Sequence, residues 1–190
     1  MSKSKIVGMM VLIALATGIF LVDAALAGEE KARLPYNVEY LFSYTARLDP
    51  ALADWIGPAA DGFRITLYTT GGDVSGPKIQ GKIRKGQNCA YLRTDGVEID
   101  NIRRTIETGD GALIVTLYVG AMEWGEDGYQ KMLKGDLKVF PRFIPFRGSV
   151  QFQTAHPKYL WLNRLHCLEI GRWDNERWEA VCDVYSVAGR

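Results

Sequence analysis

Asn101, Arg103 and Glu107 stand at alternate positions downstream of Val97, and in an extended chain they project to one side. An amide, a fixed cation and a carboxylate in a row are the ingredients of acid–base chemistry. A guanidinium matches a planar oxyanion, so Arg103 is a candidate clamp for an acidic or enolic oxygen. Glu107 is a candidate base if partial burial raises its proton affinity. Asn101 would add a hydrogen-bonding group to the same wall. These residues would equally make a solvated outer face, with cross-strand ion pairs of small energetic weight. The other side of the same strand carries Glu98, Asp100, Ile102, Arg104, Ile106 and Thr108.

A second grouping lies near the C-terminus. If Asp174-Asn175 forms the centre of a two-residue hairpin turn, His166 falls opposite Asp183 and Cys167 opposite Cys182. An aspartate beside a histidine fixes its tautomer and favours the imidazolium, which suits either a general acid/base or a structural pair on the outer surface. Cys167 and Cys182 could bridge in an oxidising compartment, although directly opposed sheet positions strain a disulfide; two buried free thiols are the alternative. Cys89 has no Cys–His–Asn signature around it. The two histidines, His156 and His166, lack a third ligand at a known spacing, so no metal is expected. No phosphate-cradling glycine loop and no G-x-S-x-G elbow appears, and no cofactor is expected. Tyr40 and Tyr68 belong to an aromatic series with Tyr36, Phe42, Tyr44, Tyr118 and Trp124. That series reads as core, or as hydroxyl donors on the wall of a barrel that encloses one small ligand.

The elements that must position these groups read as strands. Tyr36 to Thr45 alternates with period two. Asp49 opens a short helical turn over Ala51 to Ile56, and Gly62 to Thr69 is a second strand, stopped by Gly71-Gly72. Gly76 to Arg84 is a third. Thr94-Asp95-Gly96 and Thr108-Gly109-Asp110-Gly111 are turns between hydrophobic runs, and a D-G step there is a strong hairpin signal. Further helical turns are expected over Glu126 to Leu133 and near His156 to Asn163. Phe140 to Phe146, with two prolines, reads as a loop or edge segment, and Ser149 to Thr154 alternates again. A last hairpin joins Arg164–Gly171 to Arg177–Val187. Short strands with little helical periodicity argue for a single all-β domain, an antiparallel barrel or sandwich. The 20 glycines suit many tight turns.

Lys+Arg total 23 against 22 Asp+Glu, so no basic face marks a nucleic-acid partner. Lys3 and Lys5 precede an apolar run from Ile6 to Val22, followed by Ala25-Leu26-Ala27. This is the pattern of a cleaved signal peptide over residues 1–27, and the run is short for a membrane span. The expectation is an exported protein, periplasmic in a Gram-negative cell and otherwise secreted, with no stable membrane insertion after cleavage. Residues 28–35 form a charged leader expected to be disordered, and residues 36–190 the folded domain.

The order of segments resembles one family, the domain-of-unknown-function family 3237. The match rests on Gly71-Gly72, Gly76 to Gly81, Thr94-Asp95-Gly96, Arg103 with Thr105 to Thr108, and Asp110 to Ile114. It continues through Phe146-Arg147, Phe152 to Thr154 and Tyr159 to Arg164, and so spans nearly the whole mature chain. The resemblance implies a single antiparallel barrel of about 8–10 strands with a central cavity and one or two short helical turns. It adds Arg147, Asn163 and Arg164 as polar candidates, Asn163 as a residue that satisfies loop backbone. Two departures stand out. Gln87 to Tyr91 replaces a Gly-Ala-Asp-Trp run usual in the family, and Asn101 stands where an Asp usually precedes the Arg by two. A neutral amide is no general base, and Asp100, one position away, should face the other side of the strand.

These readings together point to a small-molecule ligand, either turned over by proton transfer (an isomerase, cyclase or lyase acting on an aromatic or enolisable compound) or merely carried, as in a lipocalin. A structural or partner-binding envelope protein with a filled interior is the remaining class. A homo-oligomer is compatible with all three.

Overall fold

In a computed structural model, which describes residues 34–189, antiparallel strands account for most of the chain. They are β1 (Tyr36–Leu48), β2 (Asp54–Ala59), β3 (Gly62–Ser75), β4 (Gly81–Leu92), β5 (Val97–Thr108), β6 (Leu113–Glu123), β7 (Phe143–Gln153), β8 (Cys167–Asp174) and β9 (Glu179–Gly189). One short helix, α1 (Gly128–Leu133), and 3-10 turns at Pro50–Leu52, Leu137–Val139 and Pro157–Arg164 complete the described elements. The expected signal peptide, and the leader up to residue 33, lie outside the described residues.

Each strand pairs with its neighbour around a ring in the order β1, β9, β8, β7, β6, β5, β4, β3, and β3 returns to β1. Eight strands therefore close the expected barrel. β2 is an extra strand laid on the first half of β3. Closure removes the unpaired edges that an open sheet would expose.

Closure depends on the glycine pair in β3. The expectation that Gly71-Gly72 ends the strand is corrected: β3 runs through both and pairs with β1 there, Gly72 opposite Ala46. A Cβ on Gly72 would lie 2.1 Å from the Thr45 carbonyl oxygen, whereas one on Gly71 would meet nothing closer than 3.8 Å. Only a residue without a side chain lets β1 and β3 approach at Gly72.

Three further expectations shift. β1 carries a bulge between Tyr40 and Phe42, so Leu41 and Phe42 are both buried, and the alternation of Tyr36, Val38 and Tyr40 lies outside while Tyr44 and Ala46 lie inside. The proline-bearing segment before Gly148 is not a loop, because β7 begins at Phe143. Pro145 fits since β6 pairs with β7 only from Phe146 onward. The last hairpin does not turn at Asp174-Asn175: Asp174 pairs with Glu179 around a four-residue loop. The register therefore sets Ile170 opposite Asp183, Gly171 opposite Cys182 and Cys167 opposite Ser186. His166 and Asp183 do not meet, and Cys167 and Cys182 are both buried free thiols.

One end of the interior is packed solid by Leu41, Phe42, Ile106, Ile114, Phe152 and Leu162, each at most 3% exposed. Burying each of these apolar side chains contributes roughly 1.5–3 kcal/mol. This end makes the barrel rigid; the other end is hollow.

Gly72→Ala should lower unfolding stability by about 1–3 kcal/mol, the cost of forcing an atom into a packed contact. Gly71→Ala should stay within about 0.5 kcal/mol. Urea denaturation of the two variants checks the contrast, and equal losses would show that the β1–β3 approach does not hold the barrel shut.

Candidate functional site

The hollow lies at the end of the barrel where the β1–β2, β4–β5, β6–β7 and β8–β9 connections cluster. Its volume is about 70 Å³, counted as room for the centres of water molecules and far above the ~10–15 Å³ that one water needs. Ile65, Leu67, Ile102 and Met122 form an apolar wall, and Met132 of α1 and Leu137 close over it. Four of the five tryptophans, Trp55, Trp124, Trp173 and Trp178, also line it. Trp178 has φ of 55°, unusual for a bulky residue. The β8–β9 loop holds it there: its N–H donates to the Asp174 carbonyl and its own carbonyl accepts from the Leu48 N–H, both at 2.9 Å.

The polar groups come from β4 and β5. Alternation along β5 sends Glu98, Asp100, Ile102 and Arg104 inward. Glu98 is 3% exposed, Asp100 2% and Arg104 5%, so three ionisable side chains of one strand are shielded from bulk water around one cavity. Asn88 on β4 donates through Nδ2 to Asp100 Oδ1 at 2.6 Å, and its Oδ1 accepts the Asn101 backbone N–H at 3.1 Å. Arg104 forms the floor. Its guanidinium lies 4.6 Å over the Tyr44 ring and 3.6 Å from Glu169 Oε1, the oxygen that also accepts the Tyr44 hydroxyl. Gly86 stands opposite Arg104 beside a β4 bulge. A Cβ there would sit 2.6 Å from Arg104 Cγ, so the glycine makes room for the arginine to lie across the barrel.

Burial sets the proton affinities. Loss of hydration pushes the Glu98 carboxyl well above the usual carboxylate range, and the neighbouring Asp100 charge pushes it further. Burial also raises Asp100, but the Asn88 hydrogen bond, the Glu98 carboxyl and the Arg104 charge all pull it back. The pair is thus split: Glu98 is the group that keeps its proton and Asp100 the group that carries the charge. Burial disfavours the Arg104 cation, yet Tyr44 and Glu169 more than offset this and hold it protonated. Among the described residues no group of three metal-ligating side chains occurs.

Residues 36–187 match the family described as Protein of unknown function (DUF3237). The chain belongs to this family. The UPF0311 protein RPA1785 of Rhodopseudomonas palustris is 29% identical over 152 residues, which cover 80% of this chain and 96% of that protein. Its crystal structure superposes with a TM-score of 0.68 at 26% identity, over 83% of this chain and all of that one. A beta-barrel like protein from Acinetobacter baumannii AYE gives 0.65 at 26% identity, covering 85% of this chain and all of that one. A protein from Penicillium herquei, described as an enzyme, shares the fold at a TM-score of 0.59 and 22% identity, over 85% of this chain and 99% of its own.

Within this family fold, the residues expected to line the cavity mostly lie outside it. Asn101, Arg103 and Glu107 are on the outer face of β5 and exposed; Glu107 sits 3.6 Å from Arg84. The physical reason is register: the side of β5 that bears Ile102 and Ile106 is the one buried. Tyr40 is on the exterior, hydrogen-bonded to Ser43 at 2.7 Å, and Tyr68 donates to Asp54 Oδ2 at 2.7 Å, also outside. Arg147 pairs with Glu123 on the surface at 2.8 Å. Asn163 clasps the Thr154 backbone through both its amide groups at 2.9 Å, a loop-satisfying role. Arg164 is exposed. His166 is exposed beside Gln151, and Asp183 accepts from Ser43 instead of a histidine. Burial raises the Cys167 thiol to about 11 and holds Cys182 well above its ordinary value, so neither is a poised nucleophile.

A carboxyl that binds its proton more tightly folded than unfolded loses stability as pH rises from its unfolded value, about 4.3 for Glu, to its higher folded value. Glu98→Gln should therefore raise the melting temperature at neutral pH by a few degrees and leave little difference at pH 4. The ion-paired aspartates Asp110 and Asp174, held below the usual range by Lys158 and Arg142, act in the opposite sense but equally in both proteins. Thermal melts of both proteins across pH 4–8 check this, and a variant less stable at every pH would contradict the buried acid.

Proposed function

We propose that the protein binds a small organic molecule in the barrel cavity and moves a proton on it using its own side chains, in an isomerisation, cyclisation or elimination. The observation that supports this most is the Glu98–Asp100 pair: two carboxyls, two residues apart on one strand, both buried in one cavity, with unlike proton affinities. Such a pair, with proton affinities raised to unlike extents, offers an acid and a base at once. Glu98 serves as the acid and Asp100 as the base. Arg104 supplies the fixed positive charge that favours the ionised form of Asp100, so the interior cation of β5 is Arg104 and not the Arg103 first expected.

The rest of the lining is apolar and aromatic, which suits a hydrophobic ring system entering from the tryptophan end. The same lining favours a second reading, a carrier that holds such a ligand unchanged. That a barrel of this fold from Penicillium herquei is described as an enzyme shows only that the architecture tolerates catalysis. The two readings separate by experiment. With the enolisable ketone 1-tetralone in D2O, the protein should speed deuterium uptake next to the carbonyl. Glu98→Gln and Asp100→Asn should each reduce that rate by about 10²–10⁴-fold, the usual contribution of a positioned acid or base. Tetralone that binds without faster exchange would reduce the protein to a carrier.

The sequence of residues 1–27 supports placing this activity outside the cytoplasm. Protein recovered from the exported fraction of its host should begin at Gly28 when its N-terminus is sequenced; an intact Met1 in a cytoplasmic fraction would overturn export.

A further inference from the structure

The cavity has spare donors, while several of its acceptors are already engaged. Asp100 Oδ1 and Asn88 Oδ1 already accept from Asn88 Nδ2 and the Asn101 N–H. Glu169 Oε1 takes the Tyr44 hydroxyl and faces Arg104. Asn175 Oδ1 lies within reach of Trp173 Nε1 at 3.4 Å, and its Nδ2 donates to the Leu137 carbonyl at 2.8 Å. By contrast, Arg104 Nε and Trp124 Nε1, both buried and on cavity-lining residues, have no partner. A buried donor left unpaired costs about 1–3 kcal/mol, so each calls for an oxygen.

The two differ in what can serve them. Arg104 also borders a second void of about 10 Å³ shared with Thr116 and Glu169, roughly the room of one water, so its N–H can be met without a ligand. Trp124 Nε1 has no such neighbour. It lies beside Glu98 without completing a hydrogen bond to it, while its ring packs edge-on against Phe140 at 4.7 Å and is held in place. Glu98 is six residues from Arg104 on β5, about 20 Å along the strand, so the indole and the arginine cannot converge on one atom. The charge of the ligand follows from the same inventory. Glu98, Asp100 and Glu169 face a single interior cation, Arg104, and an anionic guest would add a further negative charge to a space already short of positive ones.

We propose that the cavity selects an uncharged molecule by a hydrogen-bond-accepting oxygen, a ketone or its equivalent, seated between the Trp124 indole N–H and the Glu98 carboxyl. Trp124 is then the specificity residue of the site. This rests on the ligand-binding reading above and names the class of compound it takes.

Calorimetric titration with three probes of similar shape tests it: tetralin, 1-tetralone and 1-naphthoate, at pH 7, against the full-length protein and Trp124→Phe, which removes the N–H and keeps an aromatic ring. Tetralone should bind about ten-fold more tightly than tetralin to the wild type, the worth of roughly one buried hydrogen bond, and naphthoate more weakly than tetralone. Trp124→Phe should erase the margin between ketone and hydrocarbon while leaving tetralin affinity nearly unchanged. Equal affinities for tetralone and tetralin in the wild type, a margin that survives in Trp124→Phe, or naphthoate as the tightest probe each overturns the selection. If no probe binds, the ligand-binding reading falls with it. If tetralone binds with the expected preference but shows no faster exchange, the selection stands and the catalytic reading does not.

Discussion

One guanidinium keeps this barrel's interior electrically tolerable. Arg104 is 5% exposed, and an ion that deep costs several kcal/mol unless it is paired. Glu169 and the face of Tyr44 pair it from below, and Asp100 feels its charge from above. Burial raises the proton affinity of both carboxyls; the Asn88 hydrogen bond, the Glu98 carboxyl and the Arg104 charge moderate this at Asp100, whereas the Asp100 charge adds to it at Glu98. The unlike proton affinities of the pair thus rest in part on where one arginine lies. That placement depends in turn on Gly86, whose missing side chain leaves space for the arginine stem, and on the β4 bulge that brings Gly86 opposite it.

Much of the architecture was legible in the residues. Turn glycines, period-two runs and the absence of helical periodicity pointed to a barrel or sandwich, and the family resemblance to a closed barrel with a cavity. What misled was parity. The odd positions of β5 looked functional because they gather an amide, a cation and a carboxylate, and each face carries two aliphatic residues, Val97 and Ile99 on the odd one, Ile102 and Ile106 on the even one. The strand's own aliphatic content therefore does not choose its inner face; the even one packs inward, with Ile106 2% exposed, while the odd one carries surface ion pairs of small weight. Once that face is inside, Glu98, Asp100 and Arg104 go with it. Asp100 thus reaches the cavity by the same alternation that made it look misplaced beside Asn101. The C-terminal hairpin misled for a different reason: a four-residue loop in place of a two-residue one moved every pair by four positions and parted His166 from Asp183. Loop length is set by backbone geometry at Asn175 to Trp178, which local composition does not reveal.

The two ends of the barrel have unlike tasks, and the packing shows it. At the closed end, Asp110 gathers Lys158, Thr108 and the Tyr159 hydroxyl, tying the β5–β6 turn to the 3-10 segment Pro157–Arg164 over a solid aliphatic plug. At the open end the same number of strands surround space, and the connections carry bulky rings as well as ion pairs such as Arg142 with Asp174 and Glu176. Trp178, in a left-handed conformation that only a fully determined loop sustains, joins the end of β1 to the cavity lining. β2 stands beside β3 where β1 has left the barrel, contributing Trp55. The rigid end supplies the stability that lets the hollow end keep its shape while empty of protein.

Stability alone gives no reason for Glu98 and Asp100. Well-packed apolar residues of similar volume would serve a purely structural interior as well or better, since a buried ionic group seldom improves on them. Both carboxyls bind protons more tightly than they would in water, which means that at neutral pH the folded state carries a penalty the unfolded chain does not. Arg104 with Glu169 explains a balanced ion pair at the floor; it leaves the second and third carboxyls without a structural purpose. Groups that weaken a fold and stand together around a cavity are the ordinary signature of a site shaped by what it must do. The chemistry of this protein is therefore to be sought on the inner face of β5.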